Sequence, residues 1–239
     1  MSGPDGVTGD FSVDELIGLP DDAQAEKIAD HYASISQEYK PVLADDFPEY
    51  AKPSNIAPPR VSRSKVEKLI KSMNKKSAGV PGDVPMRIIA EFSYEFSKPL
   101  AHLINHCFSQ GTYPKLWKME FVTPVPKVFP PEKIKDLRKI SGLMNFSKIT
   151  DKVIAEYISE DIKVILGMID WSQAFDRQSH KLGIQSFIDN GVRPSLIPIL
   201  INFFQDREMK VKWKGLLSKS QALPGGGPQG GIPEELRNT

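Results

Sequence analysis

The sequence predicts a protein of mixed helix and strand. "SKVEKLIKSM" sets Val66, Leu69, Ile70 and Met73 at helical intervals, whereas "MEFVTPVPK" and "KVILGMID" are β-branched or continuously apolar runs. "MKVKWKG" and the following "SKSQAL" alternate like the arms of a hairpin. The 239 residues, 40% hydrophobic and 26% charged, suffice for one sizeable core or two small ones. The opening "MSGPDGVTGD" has neither a basic nor an apolar region of the targeting kind, and "LIPILINFF" is far short of a membrane span. An intracellular protein with no membrane partner is therefore expected. The single cysteine, Cys107, allows no internal disulfide and reads as a buried small hydrophobe.

Taken in order, residues 22–36 have the pattern of a helix, and "PVLADDFPEYAKPSNIAPPRVS" is dense in proline and reads as a linker. Residues 1–59 are thus expected to be an acidic helix and a Pro-rich linker, with a domain from residue 60 onward. Ser64 and Glu67 have capping-box spacing at the head of "SKVEKLIKSM". After the Gly/Pro loop "KKSAGVPGDVP" comes a helical pattern through Met86, Ile89, Phe92 and Phe96, which Pro99 is expected to kink or end. A further helix from Leu100 to Ser109 should stop at Gly111. His102 and His106 lie four apart on it, but without a third strong ligand they read as packing or surface residues. "MEFVTPVPK" and "DLRKIS" read as strands, and "SKITDKVIAEYIS" reads as a helix. "KVILGMID" reads as a buried strand, "HKLGIQSFIDNG" and "PSLIPILINFFQD" as helices. The hairpin then meets "PGGGPQGG", which lacks the Gly-Lys-Ser/Thr ending of a nucleotide P-loop, so its glycines point to close backbone approach of an unnamed kind.

The charge is divided along the chain. Residues 1–50 hold 12 acids and 2 bases, leaving 29 bases against 18 acids in residues 51–239. Either a solvated acidic arm precedes a mildly basic domain, or a nucleic-acid-binding body carries an acidic appendage. From Arg60 to Lys76 there are seven bases and one acid. Arg60, Arg63, Lys65, Lys68, Lys75 and Lys76 are accordingly candidates for phosphate contact, or else form a solvated helix face. Lys127 and Arg138, at strand ends across a hairpin-like turn, suit a grip on a phosphate chain, the fork of Arg beside the point charge of Lys, or are two exposed cations. Asp170 ends an apolar strand, where a carboxylate is either structural or a ligand for a hard cation such as Mg²⁺.

The order of the pieces is more specific than any one of them. "KKSAGVPGDVP", "GTYPKLWKMEFVTPVPK", "DLRKIS", "MIDWSQAFDRQSH" and "LPGGGPQGG", in that order, resemble the reverse-transcriptase domain of non-LTR (LINE-type) retrotransposons over roughly residues 60–235. The upstream "AQAEKIADHYASIS" is similar to the segment preceding the polymerase in those polyproteins. The resemblance implies an α+β fold: right-hand polymerase fingers with a small antiparallel hairpin, joined to an incomplete palm. It implies RNA-directed DNA polymerase chemistry on an RNA template, a DNA primer and deoxynucleotide triphosphates, with two Mg²⁺ ions. Lys127 and Arg138 would hold the triphosphate and Asp170 the metals. Phe175 would be the steric gate against a ribose 2′-hydroxyl, and Gln229 the glutamine beside nucleotide and template. Asp176 fits the family's pattern as a structural acid.

The sequence also departs from that pattern. The aromatic-x-Asp-Asp motif that supplies the other two metal carboxylates is absent, as is a thumb, and Lys139 and Gly142 stand where the family has Pro and Leu. Only 32 residues separate Arg138 from Asp170, fewer than the family pattern implies. The expectation is a truncated, catalytically incomplete reverse-transcriptase fragment; the alternatives are a non-catalytic nucleic-acid-binding module or a relic with no retained activity.

Overall fold

In the computed structural model of the chain, the described residues are 11–50, 56–77, 79–162, 178–227 and 232. The helices among them follow the apolar periodicities: α1 (Asp21–Ser34), α2 (Arg63–Ser72), α3 (Met86–Glu91), α4 (Ser93–Gln110), α5 (Asn145–Asp161), α6 (His180–Asp189) and α7 (Ile197–Phe204). Ser62, rather than Ser64, caps α2, its hydroxyl accepting the Lys65 amide at 3.2 Å. The Ser64 hydroxyl lies 3.0 Å from that of Ser62, and Glu67 pairs forward with Lys71 at 2.6 Å.

Pro99 ends nothing. The break falls at Phe92, between α3 and α4, and α4 runs through Pro99 to Gln110. Pro99 withholds one hydrogen bond, while the same helix buries Leu100, Ala101, Ile104, Cys107 and Phe108, which together outweigh the bond lost. Gly111 then stops the helix for two reasons. Its φ of 62° is left-handed, and a Cβ there would stand 2.5 Å from the Pro198 side chain.

The strands are β1 (Met119–Pro126), β2 (Leu137–Gly142), β3 (Glu208–Trp213), β4 (Leu216–Leu217) and β5 (Gln221–Ala222). β1 and β2 form the expected antiparallel hairpin. β1 also pairs with β3 in parallel, from Met119 opposite Glu208 to Val122 opposite Val211. β4 and β5 return antiparallel along the other edge of β3. That return is interrupted at Ser218, whose amide donates to the Val211 carbonyl and whose hydroxyl accepts the Val211 amide at 2.9 Å. The side chain thus supplies a ladder bond that the backbone cannot. The architecture is α+β with one mixed sheet.

Two cores result. The larger joins α2–α7 through Ile70, Ile89, Ile104, Ile154, Leu200 and Phe203. The smaller lies between α1 and one face of the sheet, where Ala25, Ile28, Ala29 and Tyr32 meet Val122, Leu137, Met209, Val211 and Trp213. The Gln24 side chain accepts the Trp213 indole N–H at 2.8 Å, and Phe11 meets the Trp213 ring edge-on at 5.2 Å. Around this core the charge division folds back on itself. Lys214 pairs with Asp21 at 2.9 Å, the Lys219 amide donates to Glu26, and the Gln221 side chain donates to Asp30. α1 is therefore part of the packed body, and packing crosses the compositional boundary near residue 60.

Candidate nucleotide and nucleic-acid site

The hairpin brings the backbones of the expected triphosphate grip together. Val125 faces Arg138, and the Lys127 amide donates to the Asp136 carbonyl at 2.7 Å. The Lys127 ammonium donates to the Lys135 carbonyl at 3.2 Å, and its charge is felt on α1, where burial first and Lys127 second hold His31 below its ordinary pKa against the pull of Glu15. Arg138 follows buried Leu137 and so projects from the opposite face of the sheet. Both residues are exposed.

The basic run from residue 60 to 76 separates into two kinds of residue. Arg63 is fastened to α4: its Nε donates to the Ser97 hydroxyl at 3.2 Å, its Nη2 donates to the Tyr94 carbonyl at 3.0 Å, and its guanidinium lies 3.5 Å from the Tyr94 ring centre. Lys65 reaches α5, 3.1 Å from Glu156 and 4.5 Å from the Tyr157 ring centre. These two lock α2 in place. Arg60, Lys68, Lys75 and Lys76 are exposed, with none of them in an ion pair among the described residues.

Asp170, Phe175, Asp176 and Gln229 lie outside the described residues. Among the described residues no group of three His, Cys, Asp or Glu side chains is arranged to hold a metal ion, and His102 and His106 are exposed on α4. The described residues by themselves therefore supply no ligand set for two Mg²⁺ ions. The glycine loop shows what its glycines approach. A Cβ on Gly225 would meet the Tyr39 ring at 2.4 Å, the Gly226 amide donates to the Gln178 carbonyl, and the His180 Nε2 stands 2.6 Å from the Gly226 carbonyl. Burial pushes the His180 pKa down to about 4, so the ring is neutral and Nε2 carries the proton donated to Gly226.

Both departures from the family pattern at the hairpin have partners. Lys139 stands 3.2 Å from Glu120, a carboxylate only 1% exposed, and the Ser141 hydroxyl donates to the same carboxylate. Gly142 passes Val80 so closely that a Cβ would sit 3.0 Å from it and 3.2 Å from the Phe121 carbonyl.

Several charged residues here have no role in the sequence reading. The sheet face away from α1 carries Arg138, Lys210 and Lys212, and at its end lies a cavity of about 460 Å³ walled by Lys115, Lys118, Lys210, Asp206, Glu208 and Phe121. The alternation in "MKVKWKG" does place Lys210 and Lys212 opposite Met209, Val211 and Trp213, a signal for the face but not for the cavity. Behind the cavity, Arg207 is 2% exposed and lies 4.7 Å from the Phe203 ring centre, with its Nε and Nη2 unpaired among the described residues. Nearby, the Tyr113 hydroxyl donates to Asp151 at 2.6 Å; burial, then the Asp151 charge, raises its pKa well above the ordinary range. Searches of protein-family models and of curated proteins find no match to this chain.

Proposed function

We propose that the chain is a reverse-transcriptase-derived domain, of the RNA-directed DNA polymerase family found in non-LTR retrotransposons, that folds and binds nucleic acid without catalysing extension by itself. The five ordered motifs between residues 60 and 235 carry this reading. The antiparallel hairpin with Lys127 and Arg138 near one end is consistent with polymerase fingers, and the exposed Arg60, Lys68, Lys75 and Lys76 offer phosphate contacts. These residues contain one of the three metal carboxylates that the resemblance calls for, Asp170, which is too little negative charge to hold two divalent cations close together.

A folded binding module is favoured over an unfolded relic by the hairpin. Lys139 and Gly142, the two family departures there, are each matched by a neighbour: a buried carboxylate and a close backbone pass. Substitutions accumulating without constraint on folding would leave such positions uncompensated.

The test is fluorescence anisotropy of a labelled RNA-template/DNA-primer duplex titrated with the purified chain at several salt concentrations. Binding should weaken steeply with salt, and Lys127→Ala/Arg138→Ala should lower the magnitude of the log–log slope by about two if both contact phosphates. Primer extension with Mg²⁺ and deoxynucleotide triphosphates should be undetectable. Absence of binding at low salt by a chain that melts cooperatively would overturn the reading.

A further inference from the structure

The polymerase resemblance gives no role to the cavity on the open face of the sheet, although Lys115, Lys118, Met119 and Phe121 of its wall fall within one of the motifs, "GTYPKLWKMEFVTPVPK". The cavity lies at the Met119 end of β1, and Lys127 lies past the other end, roughly 25 Å away at the rise of an extended strand. Its volume of about 460 Å³ is of the size that takes a small organic molecule.

Its charges are unbalanced. Lys115, Lys118 and Lys210 face Asp206 and Glu208, and Glu208 already accepts the Ser220 hydroxyl at 2.7 Å. Among the described residues none of the three lysines forms an ion pair. Lys118 is 5% exposed. Burial pushes its pKa down, the charges of Arg207 and Lys115 act in the same direction, and Asp206 opposes them. An ammonium desolvated among cations is stabilised by an anion placed beside it. The remaining wall is apolar, with the Phe121 ring flanked by the flexible side chains of Met119 and Met144, surfaces suited to a flat ring.

We propose that this cavity binds a small organic anion with an aromatic body, of the aryl phosphate class, its charge against Lys118 and its ring against Phe121. The inference does not depend on the reverse-transcriptase reading.

Pyridoxal 5′-phosphate is the probe. It joins an aromatic ring, a phosphate and an aldehyde; the aldehyde condenses with a neutral amine, releasing water, and borohydride reduces the imine to a stable secondary amine. Peptide mapping of the intact chain should find Lys118 modified about tenfold faster than exposed Lys75 and Lys76, because a probe held in the cavity by its phosphate and ring keeps the aldehyde beside the lysines of the wall. Excess phenyl phosphate should slow the Lys118 reaction about fivefold, and benzyl alcohol should not, since the anion supplies the affinity. Lys210→Ala, at a half-buried position, should weaken the phenyl phosphate protection while leaving the thermal melt cooperative. Equal modification of Lys118, Lys75 and Lys76 would overturn the proposal, as would a Lys118 rate insensitive to phenyl phosphate. Protection by a single-stranded oligonucleotide alone would also overturn it, assigning the cavity to nucleic-acid contact.

Discussion

His180 is buried against Phe204, with ring centres 4.7 Å apart, and donates to Gly226 from Nε2. Its folded pKa of about 4 lies below the ordinary 6.5, so the unfolded chain binds the proton more readily between those values. The stability this histidine confers is complete above pH 6.5 and falls away as the pH drops through the window, by about 3 kcal/mol in total. His180→Gln, which keeps a donor for Gly226, should flatten that part of the profile when urea midpoints are compared from pH 7 to 4. Parallel profiles for the two chains would refute the assignment. At the hairpin, removing one partner of the Glu120–Lys139 pair strands a carboxylate that is 1% exposed. Lys139→Met should cost about 3–5 kcal/mol in chemical denaturation, and adding Glu120→Met should recover most of it. Equal destabilisation of the single and double variants would mean that packing, not charge, explains the site.

The elements themselves were largely legible, because helix and strand periods are local properties of the chain. Misplaced boundaries came from competition between nearby signals: Ser62 took the cap from Ser64, and burial along α4 overrode Pro99. The parallel pairing of β1 with β3 was not legible, since Met119 and Glu208 are about 90 residues apart and neither strand's pattern names its partner. The basic run from residue 60 to 76 shows the same limit for function. Its residues look alike in sequence, yet Arg63 and Lys65 on α2 serve packing whereas Lys75 and Lys76, past its end, are exposed. Arg63→Ala should lower stability by about 1–2 kcal/mol through the lost charged hydrogen bonds and ring contact, with little change in the salt slope of nucleic-acid binding. Lys75→Ala/Lys76→Ala should do the reverse, leaving the melt unchanged and reducing the slope by about two. The two readouts, thermal melting and anisotropy against salt, separate the roles; a loss of binding affinity confined to Arg63→Ala would invert them.

Across the whole molecule, the charge division was visible in composition but its geometry was not. Acid and base counts cannot say that α1 lies against β3 with its acids beside Lys214, Lys219 and Gln221. The order of the motifs along the chain suggests a chemistry, yet Asp170, Phe175 and Gln229 lie outside the described residues, while the motif that contains Lys118 gives no sign of the cavity around it. What α1 contributes can be divided experimentally into burial and charge. Asp21→Ala/Glu26→Ala/Asp30→Ala removes three exposed polar contacts and should cost little, about 1–2 kcal/mol together, with cooperative melting retained. A variant lacking residues 1–40 instead uncovers Val122, Met209, Val211 and Trp213, a contiguous apolar face of the sheet. It should bind an apolar dye and lose its cooperative transition, because that face has no other helix to cover it among the described residues. If the shortened chain melted as sharply as the full one, with no dye uptake, α1 would be an appendage after all, and the boundary near residue 60 would separate independent folding units.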